Sequence, residues 1–266
     1  MRFLTLVILL VHSPLFGQEL EKAKLLYENE EFEQAISLLN EIIEKDGEAF
    51  DAYLLRGNCF QKEEKFVAAI QSYEKAQKLD SKSAILNANH GAAFLNLNQY
   101  DRAEKRIKKA LKLDPDLPEA HYFMGNLLYF DFRTSAAMRH YDKAIELNPA
   151  HRDAIYMRAA AYVEMEKYDL ALRDYQRVLE LDPTLSVAKF NTAVIYIESE
   201  AYQRALEILA DVDYKDLPAA KDYYFYKGEA LYFSGSKNEA CSQYEQAAEM
   251  GDDESREIYL KYCLTE

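Results

Sequence analysis

Side chains able to do chemistry are few and scattered in this 266-residue chain. Its three cysteines, Cys59, Cys241 and Cys263, form no CxxC pair, and no two histidines stand at a His-x-x-x-His spacing, so no zinc framework is written here. The histidines His12, His90, His121, His140 and His151 fall at unrelated places. No nucleophile elbow, HExxH, phosphate loop or GxGxxG occurs. The many carboxylates lie mostly on faces that read as exposed helix, where they keep the chain in water rather than pair for acid–base work. The expectation is a chain that is not an enzyme and takes no metal and no cofactor.

Composition sets what must hold those residues. Apolar residues make up 49% of the chain, enough burial to offset chain entropy, and only 8 Gly and 6 Pro interrupt it. Abundant Ala, Leu, Glu and Lys predict helix almost throughout. A formal net charge of −14 repels phosphate backbones, so nucleic acid is not an expected partner.

Residues 1–17 differ from the rest. Arg2 is followed by an apolar run from Phe3 to Val11, broken only by Thr5, and then by His12-Ser13-Pro14 and Leu15-Phe16-Gly17. That is the pattern of a secretory signal peptide cut after Gly17, leaving Gln18 as the new N-terminus. The run is shorter than the ~20 residues that span a bilayer, and no later apolar segment is longer, so no stable membrane insertion is expected after cleavage. No Asn-x-Ser/Thr sequon is present, which leans toward a bacterial export route, periplasmic or extracellular.

Self-similarity organises the remainder. Ala35, Ala69, Ala103, Ala137, Ala171 and Ala205 recur every 34 residues, and Ala240 follows at 35. Twelve residues before each stands a small residue: Ala23, Gly57, Gly91, Gly125, Ala159, Ala193 and Gly228. Four residues after come Leu39, Tyr73, Ile107, Tyr141, Tyr175, Leu209 and Tyr244, and seven after come Ile42, Ala76, Ala110, Ala144, Val178, Val212 and Ala247. Pro115, Pro149 and Pro183 close three of the units.

This pattern resembles the tetratricopeptide repeat, with a small residue at position 8, Ala at 20, an aromatic at 24, a small residue at 27 and Pro at 32. The resemblance implies an all-α, right-handed α-solenoid of about seven helix-turn-helix repeats. Its units run approximately 18–49, 50–83, 84–117, 118–151, 152–185, 186–220 and 221–252, followed by a C-terminal capping helix at 253–266. Small residues at 8 and 20 let two helices approach closely, and Pro stops the second helix because it lacks an N–H. The cap is expected to pack Ile258, Leu260, Tyr262 and Cys263 inward. Two departures predict local change: Phe132 and Thr134 replace the usual Gly and aromatic at the turn of unit 4, and unit 6 is one residue longer.

In this family the first helices line a concave groove, and the resemblance carries that role onto Asn58, Tyr122, Asn126, Tyr129, Phe130, Tyr156, Phe190, Phe225, Tyr232 and Phe233. These rings either form an open stripe for an extended peptide or pack on neighbouring first helices. Lys24 and Lys62 alone fit the pattern that clamps a C-terminal carboxylate, so such a clamp is not expected. Six cations, Arg102, Lys105, Arg106, Lys108, Lys109 and Lys112, crowd the second helix of unit 3 against Asp101 and Glu104; they read as a solvated convex face or as a dock for an acidic partner surface or membrane headgroups. Cys241 and Cys263 either form a disulfide in an oxidising compartment or remain two buried thiols. The functional expectation is an exported scaffold that binds a protein or peptide partner. The alternatives are a periplasmic ligand-binding regulatory module and an accessory subunit of an envelope enzyme or secretion complex.

Overall fold

Good helix formers fill the repeats, and in the computed structural model, which describes residues 14–264, all regular structure is helical. Residues 1–13, which carry most of the expected signal, lie outside the described residues. The helices follow in pairs: α1 (Pro14–Glu28) and α2 (Phe32–Lys45), α3 (Phe50–Lys62) and α4 (Phe66–Leu79), α5 (Ala84–Asn96) and α6 (Tyr100–Leu113), α7 (Pro118–Phe130) and α8 (Thr134–Leu147). Then come α9 (Arg152–Glu164) and α10 (Tyr168–Leu181), α11 (Ser186–Glu198) and α12 (Tyr202–Leu209), α13 (Ala220–Phe233) and α14 (Lys237–Glu249), and a short α15 (Asp253–Ile258). The chain divides into two compact units, residues 1–140 and 141–266, so the break falls within α8.

Within a pair, the aromatic of the second helix lies across the small residue of the first. Tyr73, Tyr175 and Tyr244 are buried. A methyl group added at Gly57 would collide with the Cε1 and Cδ1 carbons of Tyr73, and one added at Gly228 would stand 2.8 Å from Cε1 of Tyr244. Gly91 meets Ile107 in the same way at 2.6 Å. Where the second residue is the narrower leucine, as in Ala23 with Leu39 and Ala193 with Leu209, alanine shares its core cluster. At Gly57, Gly91 and Gly228 glycine is required by close approach and not by backbone angle, whereas unit 5 combines Ala159 with a buried Tyr175.

Each helix-to-helix turn uses one left-handed residue, and these recur at the repeat spacing: Glu30, Glu64, Asn98, Phe132, Glu166 and Glu200, with φ between 56° and 62°, and then Gly235. The next amide reaches back five residues, Lys65 to the Phe60 carbonyl at 2.8 Å and Gln99 to Phe94 at 2.9 Å, the hydrogen bond of a Schellman cap. At the far ends of α2, α4, α6, α8 and α10, Asp46, Asp80, Asp114, Asn148 and Asp182 accept the amide two residues on through their side chains. The change expected at unit 4 is absent from its turn: Phe132 takes φ 56° like its counterparts, with its ring 88% exposed, because the turn constrains the backbone and leaves the side chain in solvent. Unit 6 does differ. Its second helix stops at Leu209, and a 3-10 turn, Tyr214–Asp216, carries the chain to α13.

The C-terminal segment departs from the expected cap. After α15 the chain widens into a π turn, Tyr259–Cys263. Ile258 and Tyr259 pack against the cluster of Leu231, Ala240 and Tyr244, but Leu260 and Tyr262 are 55% and 54% exposed. Residues two apart do not share a helical face, and the wider turn moves Tyr262 off the face that Ile258 occupies. Cys241 and Cys263 are joined by a disulfide, their Cα atoms 5.6 Å apart, which ties this segment to α14.

Two measurements check this packing. Gly57→Ala should destabilise by about 1–2 kcal/mol, because overpacking outweighs the ~1 kcal/mol that alanine gains in a helix. In a Tyr73→Leu background most of that cost should vanish, and urea denaturation of the four proteins reads the coupling; additive effects would show that the ring contact is not the cause. Cys241→Ser with Cys263→Ser should lower stability by roughly 3 kcal/mol, the order expected for closing a loop of this length. Reductant should reproduce the loss in the native chain and leave the double variant unchanged.

Candidate binding site

The first helices of the second unit, α9, α11 and α13, carry a run of half-buried rings. Tyr156 stands edge-on to Tyr175 at 5.6 Å, and Phe190 edge-on to Tyr226 at 5.8 Å. Asn191 joins them, its side-chain amide donating to the hydroxyls of Tyr156 at 3.0 Å and Tyr175 at 3.2 Å. Phe233 stacks on Tyr202 at 5.2 Å, yet it remains 57% exposed. Phe225 and Tyr232 turn away toward the cluster beneath the C-terminal segment, and they serve packing. Acids border this surface. Burial first, and then Glu198 and Glu254, push the Glu229 carboxyl above its usual range.

In the first unit the corresponding positions are more polar. The Tyr73 hydroxyl donates to the side-chain carbonyl of Asn58 at 2.9 Å, with Oε1 of Gln61 at the same distance, and Asn89 donates to Asn58 at 2.9 Å. Asn58 is thus committed to the buried tyrosine. Tyr122 packs on Phe123 and Tyr129 on Phe130 at centroid distances of 5.2 and 6.2 Å. Asn126 is half-buried beside them, and Phe130 is 53% exposed. Of the ten residues placed in the groove by sequence, only Phe130 and Phe233 have rings that are mainly open to solvent.

Sequence reasoning missed two polar devices. One is the asparagine at position 6 of units 3 and 6: Asn191 donates to the buried Tyr175 of the preceding repeat, and Asn89 reaches Tyr73 of its own preceding repeat through Asn58. The other is an arginine at position 7. Arg56 donates to Ser72 at 3.2 Å and to Asn40 at 2.7 Å; Arg158 grips both oxygens of Asp174, at 2.7 and 2.8 Å, and reaches Asp142 at 2.8 Å. Burial opposes its charge, but the two aspartates hold the Arg158 guanidinium above its ordinary range. The signal was available as recurrence of Arg and Asn at a fixed register, although only two copies of each carry it.

The histidines are structural in their contacts. His90 is fully buried, stacked on Phe94 at 4.7 Å, and neither ring nitrogen has a hydrogen-bond partner. Burial, helped by Arg106 and Arg102, lowers its pKa to about 3. Nε2 of His121 meets the Pro115 carbonyl at 2.8 Å, and a carbonyl only accepts, so Nδ1 of His121 accepts from His140 at 3.1 Å. Burial, with His121 and Arg139, lowers His140 to about 4. Among the described residues, no group of three or more His, Cys, Asp or Glu could hold a metal ion. No helix of the described residues is long and apolar enough to cross a membrane.

Paired helices, small residues at their crossings and a ring-bearing first-helix face define a helical-repeat binding protein. Models of the tetratricopeptide repeat match residues 20–84, 118–151 and 153–185, and a TPR repeat model matches 91–129. The chain is a member of the tetratricopeptide repeat family. It is 33% identical over 85 residues to the small glutamine-rich tetratricopeptide repeat-containing protein 2 of Mycosarcoma maydis, a match covering 32% of this chain and 24% of that protein. The chain spans a quarter or less of the length of the curated relatives it matches. Among solved structures it resembles pilF of Pseudomonas aeruginosa, with a TM-score of 0.71 and 19% identity over 80% of this chain and 98% of that one. A tetratricopeptide repeat protein from Parabacteroides merdae superposes with a TM-score of 0.59 and 19% identity, over 92% and 97% of the two chains. At such identity the likeness is one of fold. Proteins of this family typically mediate protein–protein interaction, and the fold is generally a non-enzymatic scaffold.

The buried histidines generate a pH prediction. Below about pH 6.5 the unfolded chain takes up protons at His90 and His140 that the folded chain refuses until about pH 3 and 4, so stability should fall as pH drops through that window. His90→Leu should flatten the fall, read as urea midpoints from pH 7 to pH 4. Parallel curves for the two proteins would show that His90 is already charged in the fold.

Proposed function

We propose that this chain is an exported, non-enzymatic scaffold that holds an extended protein segment on the first-helix face of α9, α11 and α13. The observation that carries the reading is the chemistry of that face: Tyr156, Phe190 and Tyr226 are half-buried, Phe233 is open, and Glu198 and Glu229 stand beside them. Rings at helical spacing offer pockets to alternate side chains of an extended segment. Carboxylates at the same face favour a segment with basic residues beside its apolar anchors, and disfavour a C-terminal carboxylate. Export fits the leader pattern of residues 1–17 and the Cys241–Cys263 disulfide, a bond that lasts in an oxidising compartment. Removal of residues 1–17 would leave Leu20, Ala23 and Leu26, which belong to the first core cluster, in the mature chain.

Crosslinked pull-down from the native envelope fraction tests the face. Phe233→Ser should reduce capture several-fold without moving the melting temperature, because its ring is mostly open. Glu229→Gln should reduce capture while holding or raising the melting temperature, because burial beside Glu198 and Glu254 disfavours its charged form. Tyr156→Ala should lower melting as well, since its ring and hydroxyl are committed to Tyr175 and Asn191. Capture untouched by Phe233→Ser and Glu229→Gln would rule this face out. The mature protein should begin at Gln18 on N-terminal sequencing, and a cytoplasmic chain that keeps residues 1–17 would overturn the export reading.

A further inference from the structure

The cations of α6 do not simply fan into solvent. Arg102, Lys105, Arg106 and Lys109 line one concavity of about 380 Å³ together with Phe94 of α5. Their spacing of three and four residues puts them on one face over two turns of helix. Lys108, on another face, is paired with Glu104 at 2.8 Å and takes no part. The concavity has an ordered floor: the Arg102 guanidinium lies 4.0 Å over the Phe94 ring, and Phe94 in turn stacks on His90. His90 is neutral at ordinary pH and adds no charge to the floor.

The cluster lacks counter-charge. The one carboxylate that reaches it is Glu74 of α4, 3.8 Å from Arg102. No other ion pair of Arg102, Lys105, Arg106 or Lys109 occurs among the described residues, so four cations face one anion and three positive charges stay uncompensated. Arg106 is half-buried in this setting. Burial, and then Arg102, pull it below the usual guanidinium range although Glu74 acts the other way. Like charges held together in a chain whose net charge is −14 are costly unless something neutralises them.

We propose that this concavity is a binding site for a multiply charged oxyanion of the phosphate class, a pyrophosphate or a terminal phosphomonoester. The half-buried Arg106 guanidinium supplies paired N–H donors matched to tetrahedral oxygens, and Lys105 and Lys109 supply point charge. Arg102 adds charge, with its own donors turned to Gln99 at 2.7 Å and to Glu74. A carboxylate would offset one charge of the three; a phosphomonoester or pyrophosphate offsets two or more. The site lies on second-helix surface of the first unit.

The test uses the intact chain with two sources of the group: inorganic pyrophosphate free in solution, and vesicles of phosphatidylcholine with phosphatidic acid, which presents a phosphomonoester at a lipid surface. The variant Lys105→Gln/Lys109→Gln is compared with Lys108→Gln/Lys112→Gln, which removes the same charge from the same helix outside the concavity. Calorimetry and vesicle co-sedimentation at fixed ionic strength read the affinity, and melting curves confirm that both variants fold. Saturable binding in either arm, weakened about tenfold or more by the first pair and little by the second, supports the site and names its source. Binding in neither arm, or equal weakening by the two pairs, overturns it, the latter because it would reflect diffuse attraction to a basic helix.

Discussion

Contact between the position-24 side chain and the small residue at position 8 is the constraint from which most of this structure follows. A tyrosine ring laid across Gly57 or Gly228 brings the two helices of a pair closer than any larger residue would permit. Burying that ring is favourable, but its hydroxyl travels with it into the interior. An unpaired hydroxyl there costs about 2 kcal/mol or more. Asn58, Gln61 and Asn191 accordingly converge on Tyr73 and Tyr175, and through them the first-helix face becomes part of the packing. The residues that line the surface are thus also those that satisfy the core.

That double use explains why exposure is unevenly distributed among the rings. Tyr156 and Phe190 are held edge-on by their neighbours and by Asn191, so they present rigid partial faces. Rigid faces lose little side-chain entropy when a partner covers them. Phe130 and Phe233, the last residues of their helices, are more than half exposed. Charge follows a separate logic. Acids at Glu198 and Glu229 border the rings of the second unit, whereas the cations of α6 gather on a second helix of the first, so the two surfaces select different chemistry.

The turns show how a repeat tolerates local strain. Six residues other than glycine adopt left-handed angles at the same register, each at a cost of about 1 kcal/mol. The Schellman hydrogen bonds and the packed helices on both sides hold the backbone there whatever the side chain is. For that reason Phe132, which looks disruptive as a letter, leaves its turn unchanged, while the extra residue of unit 6 shortens α12 and introduces a 3-10 turn. Backbone length matters more than side-chain identity at these junctions.

The 34-residue register alone determined the class, the helix pairs and the buried set, since Ala69, Tyr73 and Ala76 and their counterparts must face inward once the helical period is known. Repetition makes that information redundant, and one atypical unit cannot erase it. Which of the ten groove residues stay open was decided only by tertiary structure, because a ring at helical spacing is exposed or covered according to the neighbour it meets. Asn58 is the clearest case: its position suggests a groove contact, but Tyr73 and Asn89 occupy it from two other helices. The same holds for the end of the chain, where composition promised an inward Leu260 and Tyr262 and a π turn set them outward. Pattern along a chain encodes which face is apolar; only contact across helices settles what covers it.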